Sequence, residues 1–157
     1  MDDQAKAAFD LVATNVAVIT VTDDEGVHGC TANAWAEAAD PPVLLITLRR
    51  GSTTRARIVD AGRFAVNLLA EDQGELARTF ARPGDRFAGV AHRSGPELGQ
   101  PLLPQSLASF ECDLEAEYEF GSYDILTGTV RSVATRDSAR PLLFFDRGFR
   151  SLTEGKR

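Results

Sequence analysis

Between Phe110 and Phe120 the chain alternates without a break. Phe110, Cys112, Leu114, Ala116, Tyr118 and Phe120 are apolar, and the residues between them, Glu111, Asp113, Glu115, Glu117 and Glu119, are acidic. Successive side chains leave a strand on opposite sides, so a period of two predicts a strand with one buried and one polar face. The five carboxylates read as a solvated face rather than an acid–base or metal site. Gly121-Ser122-Tyr123-Asp124 has the length of a hairpin turn, and Ile125 to Val133 returns as the partner strand.

The rest of the chain adds strands to that hairpin. Val16 to Thr22 is β-branched almost throughout, which favours a pleated strand. Asp23-Asp24-Glu25-Gly26 is a turn, and Val27 opens a strand running into His28-Gly29-Cys30-Thr31-Ala32-Asn33-Ala34-Trp35. Pro41-Pro42 interrupts the ladder before a buried strand at Val43 to Leu48. Phe64 to Leu69 is another strand, and Leu142 to Phe145 and Phe149 to Leu152 are two short ones around Arg147-Gly148.

Helices are few. Asp2 to Ala13 places Ala5, Ala8, Phe9 and Val12 on one helical face. A second helix runs from the Ser52 region to Ala61 and is ended by Gly62. A third starts at the capping-box-like Asp72-Gln73-Gly74-Glu75 and runs through Phe80. Residues 82–108 show no period and read as a long loop that covers something or functions. Strands without a βαβ rhythm predict a mainly β fold, a closed or nearly closed antiparallel barrel with helices outside it.

Composition narrows the function classes. A chain of 157 residues reads as one domain spanning 1–157. The net charge of −6 argues against nucleic acid as a partner, because phosphate contacts need a basic surface. There is no long apolar run and no cationic start followed by an apolar block, so no membrane span or signal peptide is expected. Cys30 and Cys112 stand apart with no second thiol near either, which predicts reduced thiols in the cytoplasm and no zinc cluster. His28 and His92 are single histidines, and no catalytic side-chain constellation is visible.

Two stretches carry ligand chemistry. Small residues, a hydroxyl and an amide between Gly29 and Trp35 suit a close approach of backbone to a flat polar ligand. Arg49-Arg50-Gly51-Ser52-Thr53-Thr54-Arg55 combines a helix N-terminus with hydroxyls and cations, a set able to hold a phosphate monoester. The plainer role of Ser52 or Thr53 is to cap the helix. A bound redox cofactor would supply the reactivity that the side chains lack.

Val16-Ala17-Val18-Ile19-Thr20, His28 to Ala34, Asp40-Pro41-Pro42, Gly62 to Leu69, Asp85-Arg86-Phe87, Pro101-Leu102-Leu103 and Arg140-Pro141-Leu142-Leu143 follow one another in an informative order and spacing. Together they resemble the flavin reductase-like, split-β-barrel FMN-binding family, the reductase components of two-component flavin monooxygenases, over about residues 9–152. The resemblance implies a homodimer with one flavin per subunit near the interface. It also implies NADH or NADPH as the reductant of FMN or FAD, and an oxygenase that receives the reduced flavin.

By the same resemblance, Cys30, Thr31, Ala32, Asn33, Ala34 and Trp35 line the flavin, and Leu48, Arg49, Ser52, Thr53, Thr54 and Arg55 surround its phosphate. Tyr123, Arg147 and Arg150 fall at the nicotinamide nucleotide. The family's usual histidine is replaced by Tyr123, which can stack or hydrogen-bond but offers no imidazole. A flavin-binding protein without nicotinamide chemistry therefore stays open as an alternative, as does a related split barrel for haem or a pyridoxal-type phosphate.

Overall fold

The computed structural model describes residues 1–153; residues 154–157, included in the expected single domain, lie outside the described residues. A helix α1 (Asp3–Asp10) and a short strand β1 (Thr14–Asn15) precede the hairpin of β2 (Ala17–Asp23) and β3 (Gly26–Ala32). After β4 (Ala34–Glu37) and β5 (Val43–Arg49) come α2 (Thr53–Ala61), β6 (Arg63–Leu68) and α3 (Gly74–Ala81). The expected long loop holds a two-residue ladder, β7 (Arg93–Ser94) with β8 (Pro101–Leu102). The long hairpin of β9 (Ala108–Phe120) and β10 (Tyr123–Thr135) is followed by β11 (Leu142–Phe145) and β12 (Gly148–Ser151).

Seven strands form one antiparallel sheet in the order β3-β2-β6-β9-β10-β5-β4. Its two edge strands, β3 and β4, are consecutive in the chain with only Asn33 between them. The sheet therefore rolls until its edges meet, giving a split barrel with its seam at Asn33. The expected mainly β architecture is present. Among the described residues, no helix is long and apolar enough to cross a membrane.

Two apolar clusters flank the β2–β6 region. Inside the barrel, Ile19, Val21, Ile46, Phe64, Val66, Cys112 and Leu126 pack with Ile58 of α2. Outside it, Val16, Val18, Leu69 and Leu142 pack with Ala77 and Phe80 of α3 and with Phe87. The strand period explains the split, since Val18 and Ile19 are neighbours on opposite faces. Helix α2 ends as expected at Gly62, whose φ of 70° places it in the left-handed region, with its N–H donating to Ile58 O at 2.8 Å.

Several expectations need correction. The apolar face of β9 does not stay on one side of the sheet. A bulge at Thr127/Gly128 shifts the register, so Cys112 and Leu114 face the interior while Tyr118 and Phe120 are left exposed beyond it. The acidic face is not uniformly solvated either. Glu111 is fully buried, its carboxylate accepting from the N–H groups of Glu97, Leu98 and Gln100 and from the Ser132 hydroxyl. The long loop wraps this carboxylate closely enough that a Cβ at Gly95 would collide with it.

At α3 the residue before the helix is Gln73, which makes no side-chain cap; its Oε1 accepts from Ala70 N instead. Asp72, read as a cap from the sequence, pairs with Arg136 at 3.0 Å. Helix α1 stops at Asp10 and buries no residue; its Phe9 borders a cleft rather than the core.

Candidate functional site

A cleft of about 1810 Å³ is bordered by β3, the β5–α2 turn, α3, residues 83–88, α1 and the β11–β12 hairpin. It brings together Cys30, Thr31, Ala32 and Asn33 with Leu48, Arg49, Ser52, Thr53, Thr54 and Tyr123, ten of the residues picked out from the sequence. Ala34, Trp35, Arg55, Arg147 and Arg150 do not line it.

The β3 wall is shaped partly by the protein's own packing. A Cβ on Gly29 would stand 3.0 Å from Ile19 O and from the Phe80 ring, so the close approach expected here is made by α3 at this position. Thr31 donates its hydroxyl to Ala77 O at 2.6 Å, docking the same helix. That leaves Cys30 and Ala32 as small wall residues and Asn33, at the seam, as an exposed amide.

Burial raises the Cys30 thiol above its ordinary pKa, against the pull of the Thr54 hydroxyl and the Arg86 cation, which favours the neutral thiol. Asn15, which sequence reasoning missed, brackets Ala34: its Nδ2 donates to Ala34 O at 2.6 Å and its Oδ1 accepts from Ala34 N at 3.0 Å. Trp35 stands on the outside of β4, 66% exposed, with Nε1 donating to Glu37.

At the other end, Ser52 fills its plainer role. It is the N-cap of α2, and its Oγ accepts from Arg55 N at 3.1 Å. The N–H groups of Thr53 and Thr54, in the same first turn, have no carbonyl one turn earlier in the helix to reach. Both residues border the cleft with Ser52 and Arg49, Thr54 from a buried position at 2% exposure.

Arg55 is turned away. Its Nε lies 2.7 Å from Asp124 Oδ2, an ion pair without hydrogen-bond alignment, and Arg50 Nε donates to Asp124 Oδ1 at 3.2 Å. Asp124 is 2% exposed and takes up both cations, while Arg49 has no ion pair among the described residues. Tyr123 pairs with Arg49 across β10 and β5, so the two side chains share a face at the cleft mouth.

The late arginines are occupied elsewhere. Arg147 pairs with Asp10 at 3.3 Å, and Arg150 donates to Phe149 O at 3.0 Å. Strand alternation turns Phe149, and not Arg150, toward the cleft. Arg86 also borders it, with Nη1 donating to Gly29 O at 2.9 Å; the sequence marked this residue only as part of a motif.

A model of the flavin reductase like domain matches residues 9–153, nearly the whole chain. The chain belongs to the flavin reductase-like family. A relative in Rhizobium meliloti (strain 1021), named as a probable flavin reductase, is 41% identical over 126 residues; the match covers 78% of this chain but only 40% of that relative. The reductase subunit of a flavin-dependent monooxygenase from Rhodococcus jostii (strain RHA1) is 37% identical, with 84% of this chain and 68% of the relative covered. The solved structure of a Streptomyces globisporus C-1027 NADH:FAD oxidoreductase, in complex with NAD and FAD fragments, superposes with a TM-score of 0.90. It is 30% identical, covering 96% of this chain and 92% of that one. Within this family frame, the small-residue wall and the helix N-terminus occupy one cleft.

Proposed function

We propose that this chain is a single-domain NAD(P)H:flavin oxidoreductase that reduces FMN or FAD for a partner monooxygenase. The observation that supports the reading is the joining, in one cleft, of small residues of β3 to Arg49 and the N-terminus of α2. The first turn of α2 offers the backbone N–H of Thr53, and Arg49 a cation with no ion pair among the described residues, where a ribityl phosphate would end. Cys30 and Ala32 leave room for a flat ring, and Asn33 offers it an amide. The relatives named as reductases support the same reading.

When bound, the flavin supplies the acceptor for a hydride from the nicotinamide, which leaves as NAD⁺ or NADP⁺. The protein's work is proximity and orientation, and no side-chain acid or base is required. Tyr123 stands at the cleft mouth, where it can stack on an incoming ring. Oxidation of NADH or NADPH with added FMN or FAD tests the reading, and turnover above the protein-free rate is expected. Flavin binding with no turnover in any pairing would select the flavin carrier instead, the reading favoured by tyrosine in place of the family's histidine.

We further propose a homodimer. Tyr118, Phe120 and Ile125 lie on one face of the β9–β10 hairpin, and that face continues through Thr47 and Leu45 to Trp35. Tyr118, Phe120 and Trp35 are each more than half exposed, an apolar surface suited to a second copy of the chain. The face is continuous with the cleft through Thr47, Arg49 and Tyr123, so pairing would close the site from that side. Phe120→Asp is expected to shift the protein to monomer in light scattering and to weaken flavin binding at the same time. An unchanged mass would remove this face from the interface. Two free thiols, Cys30 half-buried and Cys112 buried, suit a reducing compartment, and we assign the protein to the cytoplasm.

A further inference from the structure

The inward face of β10 carries a charge where its neighbours are apolar. Asp124 stands opposite Leu48 on β5 and two residues from Leu126, and all three are buried. Charged groups gather on it: Arg50 from the β5–α2 turn and Arg55 from α2, with Glu119 opposite it on β9. The two arginines are not held alike. Arg55 is shared between Asp124 Oδ2 at 2.7 Å and Glu117 Oε1 at 3.6 Å. Arg50 has Asp124 as its one ion-pair partner among the described residues, with 3.2 Å from Nε to Oδ1. Its side chain is 45% exposed and borders the cleft. It belongs to the same turn as Arg49, closed by Ser52 N donating to Arg49 O at 2.9 Å. Without the carboxylate, Arg50 would be a second free cation beside the N-terminus of α2.

Stability gives this carboxylate little reason to be there. A buried ion pair strips water from both partners, and apolar residues of similar volume often serve as well. Its effect on the cleft is larger, because each charge-assisted contact to a phosphate changes affinity by about 10- to 100-fold. We propose that Asp124 is a positioning residue that sets how tightly the cleft holds a flavin phosphate, by keeping Arg50 off it. The proposal rests on the flavin reductase reading. A reductase that supplies another enzyme has to let its flavin go, and a second arginine on the phosphate would hold it back.

The variant Asp124→Asn keeps the shape of the side chain and an oxygen for Arg50 Nε, and removes the charge. Dissociation constants for FMN and riboflavin are measured in this variant, in Asp124→Asn/Arg50→Gln and in the unsubstituted protein. Asp124→Asn is expected to bind FMN about tenfold more tightly, with the gain shrinking at high salt. Riboflavin, which lacks the phosphate, should bind as before. The double variant should return FMN to its original affinity, because the gain belongs to Arg50. A merely structural carboxylate would weaken both flavins together, and that result overturns the proposal. So does an unchanged FMN constant, or a gain that survives the loss of Arg50. The unsubstituted protein gives an independent reading should Asp124→Asn fail to fold. With Arg50 withheld, FMN should bind no more than about 100-fold more tightly than riboflavin; a ratio above about 1000-fold would place Arg50 on the phosphate already and overturn the proposal. If the unsubstituted protein binds neither flavin, the flavin reading has failed and this proposal with it, a result reached before any variant is made.

Discussion

Replacing Glu111 with alanine is expected to lower the unfolding free energy by about 4 kcal/mol and the melting temperature by about 10 °C. The carboxylate sits on β9 at zero exposure and is the hub of the 95–100 segment. Its Oε1 accepts from Leu98 N at 2.9 Å and Gln100 N at 3.1 Å; its Oε2 accepts from Glu97 N at 2.9 Å and Ser132 Oγ at 2.7 Å. Alanine leaves three backbone N–H groups facing a cavity, and each buried donor without a partner costs about 1–3 kcal/mol. Thermal unfolding measures the loss, and faster proteolysis between residues 95 and 100 would locate it.

The same carboxylate sets a pH dependence. Burial pushes the Glu111 pKa up, but the Ser132 hydroxyl and the three N–H groups outweigh burial and hold it below the ordinary glutamate value. A group whose pKa is lower in the folded state contributes stability above its unfolded pKa and loses it as pH falls through the folded one. The protein should therefore lose stability below roughly pH 4. Glu111→Gln should be less stable at neutral pH, with a shallower loss on acidification. An acid limb of unchanged steepness in that variant would show that other carboxylates govern it.

Arg55→Ala and Arg49→Ala are expected to fail in different ways. Arg55 reaches Asp124, which is buried and shared with Arg50. Removing one partner of a buried pair costs about 3–5 kcal/mol when nothing replaces it. With Arg50 still in place and Arg55 a quarter exposed, about 2 kcal/mol is expected. Affinities for FMN and riboflavin should then fall together, if at all.

Arg49 has no such partner, so Arg49→Ala should leave the melting temperature unchanged. It should weaken FMN by about tenfold, the scale of one charge-assisted phosphate contact, and spare riboflavin, which lacks the phosphate. Calorimetry with both ligands reads the contrast. A selective FMN loss in Arg55→Ala would return that arginine to the phosphate site.

What could be read in advance was local. Alternation from Phe110 to Phe120 is a strand in any tertiary setting, and Gly62 ends α2 where a left-handed residue is needed. The Ser52-Thr53-Thr54 run marks the start of α2, with Ser52 as its cap. What escaped depends on partners far along the chain. The bulge at Thr127/Gly128 changes which face of β9 is inside, and nothing in the alternation itself shows it. Glu111 looks like its acidic neighbours until a loop more than ten residues away folds over it. Arg55 resembles Arg49 in sequence, yet helix geometry points it at Asp124, 69 positions on. At β12 attention falls on the arginines, while strand alternation delivers Phe149 to the cleft.

The most direct test of the central claim is the flavin absorption band under anaerobic conditions, followed after NADH or NADPH is added to FMN or FAD with catalytic amounts of the protein. The account predicts bleaching of the band far faster than without protein, with flavin reduced and nicotinamide oxidised in equal amounts. A band that bleaches no faster than in the protein-free control, with either flavin and either nucleotide, would contradict it.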